Sequence, residues 1–284
     1  MTSKILYTPI EAYEKLNNGD ALLVDVRDAE DFAQGHIPGA VNIPEMFTTL
    51  SMTTPEGLEE LKNTFVPLFK NAGIRKNQNV IVYEDSLSTR YGGSCRGYFQ
   101  LSLLGHNDVG IVDGGFSQWK KDGLPVSTEV TETEPSDFEA ELQLSMLATK
   151  GDVLSALSNP RVKLLDNRDE DEWRGESSSP YGIDFAPRKG RIPGARWVEW
   201  YQFMKPSDEI QHLKSPEEIR AICAQVGLYP EDDIIIYCFK GARASNTYIA
   251  LKEAGFTHVR NYYGSWNEWS RSPELPIHDG VLAA

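Results

Sequence analysis

GHIPGA, residues 35–40, returns as GRIPGA at residues 190–195, and that recurrence decides how the chain is read. Three further pairs fall around it in the same order. LLVDVRDAEDF (22–32) answers to LLDNRDEDEW (164–173), which sets Asp25 against Asp166 and Arg27 against Arg168. VIVYED (80–85) answers to IIIYCF (234–239), and GGFSQW (114–119) to GSWNEW (264–269). Self-similarity of this extent marks a duplicated structural unit, and 284 residues have room for two ordinary domains. The second copy carries one insertion, RGESSSPYGIDFAPRK (174–189), whose Ser and Pro content reads as a loop. The join falls in STEVTETEPSDFEAE (127–141), acidic and without apolar periodicity. The expected division is an N-terminal domain over residues 1–128, a linker over 129–140 and a C-terminal domain over 141–284.

Short apolar runs alternate with helical patterns inside each copy. In the first, strands are expected at Ala21 to Val24, Val41 to Ile43, Val80 to Tyr83 and Val109 to Val112, with helices at Pro9 to Asn17, Pro55 to Asn71 and Ser94 to Leu104. The opening MTSKILYTPIEAYEKL reads as the start of a helix-forming domain. Such alternation specifies an α/β fold, each copy a mostly parallel sheet flanked by helices. Ligands of such sheets sit beyond the carboxyl ends of the strands.

Composition narrows the partners. With 40% hydrophobic and 25% charged residues the chain reads as a soluble globular protein. A formal net charge of −14 argues against nucleic acid and anionic membrane. No apolar run approaches the roughly 18 residues of a membrane span. Three cysteines, Cys95, Cys223 and Cys238, are too few and too scattered for a disulfide framework or a thiolate metal site. A cytoplasmic protein with one reactive thiol is the expectation.

IYCFKGARAS (236–245) is where that thiol belongs. Ile234 to Tyr237 reads as a buried strand and Ala244 to Ala254 as a helix, so Cys238 stands on a strand-to-helix turn. A helix start presents unpartnered amides and the positive end of the macrodipole, and a tight glycine loop can turn more amides inward. Lys240 and Arg243 add two cations, a setting that favours thiolate over thiol. Cys223, in EEIRAICAQVG, reads as core packing, and Cys95 is left unassigned. The first copy has Glu84 where the second has Cys238, so the copies cannot share thiol chemistry. The first reads as a scaffold, with Glu84 as a capping carboxylate or an acid–base group. The Asp25/Arg27 and Asp166/Arg168 pairs occur in both copies and are read as structural. Trp119, Trp266 and Trp269 are read as packing.

The duplicated DxR…GHIPGA pattern, a cysteine at the strand-to-helix turn in the second copy only, and CFKGAR opening a helix resemble the tandem-domain rhodanese sulfurtransferases, from about residue 8 to 277. The resemblance implies a double displacement in which Cys238 takes the outer sulfur of a small anionic donor as a persulfide. The sulfur then passes to a thiophilic acceptor, cyanide or a thiol. It implies no metal and no organic cofactor. Phe239, Lys240, Gly241, Ala242 and Arg243 are the expected donor-binding loop. Arg174, in EWRGESS, matches the family arginine that reaches toward the substrate anion, with Arg188 and Arg191 as weaker candidates. Thiosulfate is a dianion, so a basic loop suits it electrostatically. Mercaptopyruvate-specific relatives have small neutral loop residues, which this sequence lacks. A 3-mercaptopyruvate sulfurtransferase and a persulfide-relay module stay open as alternatives.

Overall fold

The structure, a computed structural model, describes residues 4–206 and 210–279. By its internal contacts the chain forms two units. The first comprises Met1–Thr49, Glu59–Gln143 and Lys205–Leu213, and the second comprises Leu50–Leu58, Leu144–Met204 and Lys214–Ala284.

The first unit is built on β1 (Leu6–Tyr7), β2 (Ala21–Asp25), β3 (Val41–Asn42), β4 (Asn79–Tyr83) and β5 (Val109–Val112). They form a parallel sheet in the order β1-β5-β4-β2-β3. The second repeats it with β6 (Leu147–Ala148), β7 (Val162–Asp166), β8 (Arg196–Trp197), β9 (Asp233–Tyr237) and β10 (His258–Tyr262), in the order β6-β10-β9-β7-β8, again parallel. Helices flank both sheets, so the expected α/β class with two duplicated sheets is the observed one. Where helix alone was expected at the N-terminus, the two-residue strand β1 comes first. The helix Pro9–Asn17 follows, with Thr8 and Glu11 closing a capping box at its start.

Central strands are apolar on both faces because helices cover both. Ile234, Ile235, Ile236 and Tyr237 of β9 are all fully buried, each worth about 1.5–3 kcal/mol of transfer free energy. That places the residue after β9 at the sheet's carboxyl edge with a rigid strand behind it. The acidic stretch near residue 130 has no regular structure, yet it packs onto the first unit through buried Phe138, which stands edge-on to Phe69.

The charged pairs in the repeat are pins. Arg27 donates to both Asp25 oxygens and to Gly35 O, and Arg168 does the same to Asp166 and Gly190 O. Each ties a strand end to the turn preceding its HIPGA or RIPGA segment. The tryptophans pack as read: Trp119, Trp266 and Trp269 are buried, with indole N–H groups on the carbonyls of Pro125, Arg188 and Pro276.

Candidate active site

Cys238 follows β9 directly and is 1% exposed. Its Sγ accepts the Gly241 N–H at 3.1 Å. Gly241 is the N-cap of the helix Ala242–Glu253 with φ of +85°, and a Cβ there would stand 2.7 Å from the Tyr263 ring. Only glycine lets the chain turn so tightly beneath the sulfur. The turn is held from behind by Trp266 N–H on Cys238 O and Asn267 N–H on Phe239 O. Carbonyls are thereby drawn away from the sulfur. The Cys238 N–H is taken by Ser265 Oγ at 3.1 Å. Ser245 Oγ donates to Gly241 O at 2.7 Å, bracing the helix start.

Charge at this turn is already organised. Arg243, the second residue of the helix, is 2% exposed and bonds Glu172 through Nη1 at 2.5 Å and Nη2 at 3.1 Å, with Asp169 at 3.0 Å. Burial would lower its pKa, but the charges of Glu172, Cys238 and Asp169 hold the guanidinium well above the usual arginine range. Arg243 is therefore a charged brace whose field reaches Cys238 and whose fork is occupied by carboxylates. Lys240 is 7% exposed, with Nζ 5.3 Å from the centre of the Tyr181 ring. Phe239 lies against the same ring, 5.2 Å between centroids. Tyr181 belongs to the inserted loop, which thus packs on the cysteine loop.

The remaining arginines take separate places. Arg174 ends the short helix Glu170–Trp173 on the surface and pairs with Glu170 at 2.6 Å. Arg188 gives its guanidinium to the carbonyls of Trp269, Ser270, Ser272 and Leu275. Arg191 is buried against the Trp173 ring and donates to Trp173 O. Both brace backbone carbonyls, Arg191 buried and Arg188 half-buried. Cys223 is buried in the helix Pro216–Gln225, its thiol pushed up to about 12 by burial, in keeping with core packing. Cys95 is buried too.

Sequence reasoning missed Glu172, Asp169, Tyr181 and Ser265. Setting GGFSQW on GSWNEW does place Ser265 opposite Gly115, a signal that was available. Asp169, Asp171 and Glu172 bring carboxylate oxygens within 4.8 Å of one another, but Arg243 already occupies two of the three. The loop as built offers a cysteine, cationic side chains and a helix start, which together suit a nucleophile acting on an anion.

The family model for the rhodanese-like domain matches residues 8–122 and again 149–272. The thiosulfate sulfurtransferase of Azotobacter vinelandii is 28% identical, over 96% of this chain and 96% of its own. Sulfur carrier protein TtuD of Thermus thermophilus is 32% identical, over 87% and 86%. Among solved structures, the anaerobic ergothioneine biosynthesis enzyme of Chlorobium limicola, bound to trimethyl histidine, superposes with a TM-score of 0.80. It is 23% identical and matches 97% of this chain and 70% of that one, a likeness of fold. The sulfur-bearing turn after β9, repeated as a cysteine-free turn after β4, is thus set in two copies of a known domain, and the chain belongs to the rhodanese family.

Proposed function

We propose that this rhodanese-family sulfurtransferase moves the outer sulfur of thiosulfate through a persulfide on Cys238. The observation that carries the reading is the placement of Sγ at the start of the helix Ala242–Glu253, bonded to the Gly241 amide. The Cys238 thiolate attacks the outer sulfur, the bond between the two donor sulfurs breaks, and sulfite leaves with the electron pair. Cyanide carbon or an acceptor thiolate then attacks the terminal sulfur, and thiolate is regenerated as thiocyanate or a persulfide departs. Electrons balance without an outside oxidant or reductant. The helix dipole and the Lys240 ammonium stabilise the dianion and the departing sulfite. Phe239, Gly241 and Ala242 shape the turn. Arg174 contributes to donor capture by leaving Glu170 for the incoming anion.

Thiocyanate formation from cyanide, compared for thiosulfate and 3-mercaptopyruvate, tests this. A higher kcat/KM for thiosulfate is expected, and a preference for mercaptopyruvate overturns the donor assignment while keeping the sulfur path. Similarity to the sulfur carrier protein favours a second reading, a relay that loads once and delivers to a partner. Loading without sustained turnover on small acceptors would select it.

A further inference from the structure

Ser265 has φ of +53°, one of three non-glycine residues at positive φ among those described, and it is fully buried. A serine held there carries a backbone cost that glycine avoids. The duplicated position shows the fold's unburdened solution. Gly115 has φ of +60°, and a Cβ on it would stand 2.4 Å from Glu84 O. Both copies tie this turn to the loop beside it by the same two backbone bonds. Phe116 N–H meets Glu84 O at 2.7 Å and Ser117 N–H meets Asp85 O at 2.9 Å, as Trp266 and Asn267 do for Cys238 and Phe239 at 3.0 and 2.9 Å. The tie therefore does not need a side chain, yet the copy that has the cysteine has the serine.

We infer that Ser265 is a positioning residue for Cys238, an assignment that rests on Cys238 being the reacting thiol. Its hydroxyl donates to Tyr262 O at 2.7 Å and accepts the Cys238 N–H at 3.1 Å, with Oγ 4.0 Å from Sγ. The hydroxyl proton is committed to the carbonyl, so the lone pair faces the cysteine amide. That bond fixes the peptide plane before Cys238 and with it the direction of Cα–Cβ, which seats Sγ on the Gly241 amide. Glu84 needs no such device, because its longer side chain reaches several donors of its own.

The test is the rate at which iodoacetamide alkylates Cys238, followed by mass spectrometry on the full chain at one near-neutral pH. An uncharged reagent reads the thiol's placement and not anion binding. Ser265→Gly is expected to fold, to relieve the backbone cost, and to slow alkylation about tenfold, the scale of one lost buried hydrogen bond. Sulfur loading at saturating thiosulfate falls in step while KM holds. Ser265→Ala keeps the strained backbone without the hydroxyl, so it shows the same slowing with a lower Tm, and it serves if the glycine variant does not fold. Wild-type alkylation and loading rates in either folded variant overturn the inference. A wild-type protein that alkylates at Cys238 but takes no sulfur from thiosulfate removes the donor reading instead, and the alkylation comparison still decides the role of Ser265.

Discussion

The turns after β4 and β9 take the same two backbone bonds from the turn after the neighbouring strand, and differ in length and in what fills them. At the first, Glu84 is fully buried and accepts Gly93 N–H at 3.0 Å, Ser94 N–H at 2.9 Å, Ser94 Oγ at 2.7 Å and Thr89 Oγ1 at 3.2 Å. The start of the helix Gly93–Leu103 is occupied by the chain's own carboxyl group. At the second, the shorter Cys238 side chain bonds one amide, that of Gly241. Two related turns thus serve differently, one closed by an internal carboxyl group and one holding a nucleophile where an external anion would bind. The difference is one of side-chain reach as much as of chemistry.

The largest expected effect breaks the symmetry outright. Cys238→Ser should abolish sulfur loading, with thiocyanate turnover falling by at least about 10⁴-fold and Tm unchanged. Adding Glu84→Cys to that variant should restore nothing, since the donors at Gly93 and Ser94 are placed for carboxylate oxygens beyond the reach of Sγ. The mass of the protein after exposure to thiosulfate reads both variants, and sulfur on residue 84 would mean the two cradles are equivalent after all.

Charge pairing comes next. Glu172→Gln leaves the buried Arg243 guanidinium short of its main partner, and denaturant unfolding should register a loss of about 3–5 kcal/mol. A loss below about 1 kcal/mol would show that Arg243 finds compensation elsewhere at the turn.

A smaller effect reads Glu84 by pH. Burial pushes its carboxyl up to about 8 from the ordinary 4.5, against the bonds from Ser94, Gly93 and Thr89. The folded chain therefore holds this proton more tightly than the unfolded chain. Its contribution is complete below about 4.5 and is lost as pH rises through about 8, with a slope of up to about 1.4 kcal/mol per pH unit. The stability of Glu84→Gln should lack that slope, so the difference between the two proteins' unfolding free energies should change across the window. Parallel curves would place the Glu84 carboxyl near its ordinary range.

The smallest change in stability is expected for Arg174→Ala. An exposed pair with Glu170 is worth about 0.3–0.5 kcal/mol, so Tm should barely move while KM for thiosulfate rises. An unchanged KM would leave Arg174 a surface residue and shift donor binding to Lys240 and the helix start.

Much of this was legible in the sequence. The repeat, the four named strands of the first copy and the helix Pro55–Asn71 follow from apolar period and order. The two-residue strands β1 and β6 were not, because so short a run has no period to detect and pairs only once a neighbour is in place. Arg243 was legible as a cation beside Cys238. Its carboxylate partners were not, since Glu172 lies 71 residues away in the chain. Nor does any pattern announce that Leu50–Leu58 belongs with the second unit, where Thr53 N and Oγ1 bond the Glu268 carboxylate at 3.0 and 2.7 Å.

By itself the sequence determined a duplicated α/β chain with a single cysteine on the loop opening a helix, because periodicity, glycine placement and repeat order are properties of near neighbours. Only the tertiary structure decided that Arg243 is neutralised by Glu172 and Asp169, that Lys240 rests on Tyr181, and that Ser265 grips the cysteine amide. Those are contacts between segments far apart in the chain. Burial there makes every unpaired charge or amide costly, so the fold selects the partners that local pattern leaves open.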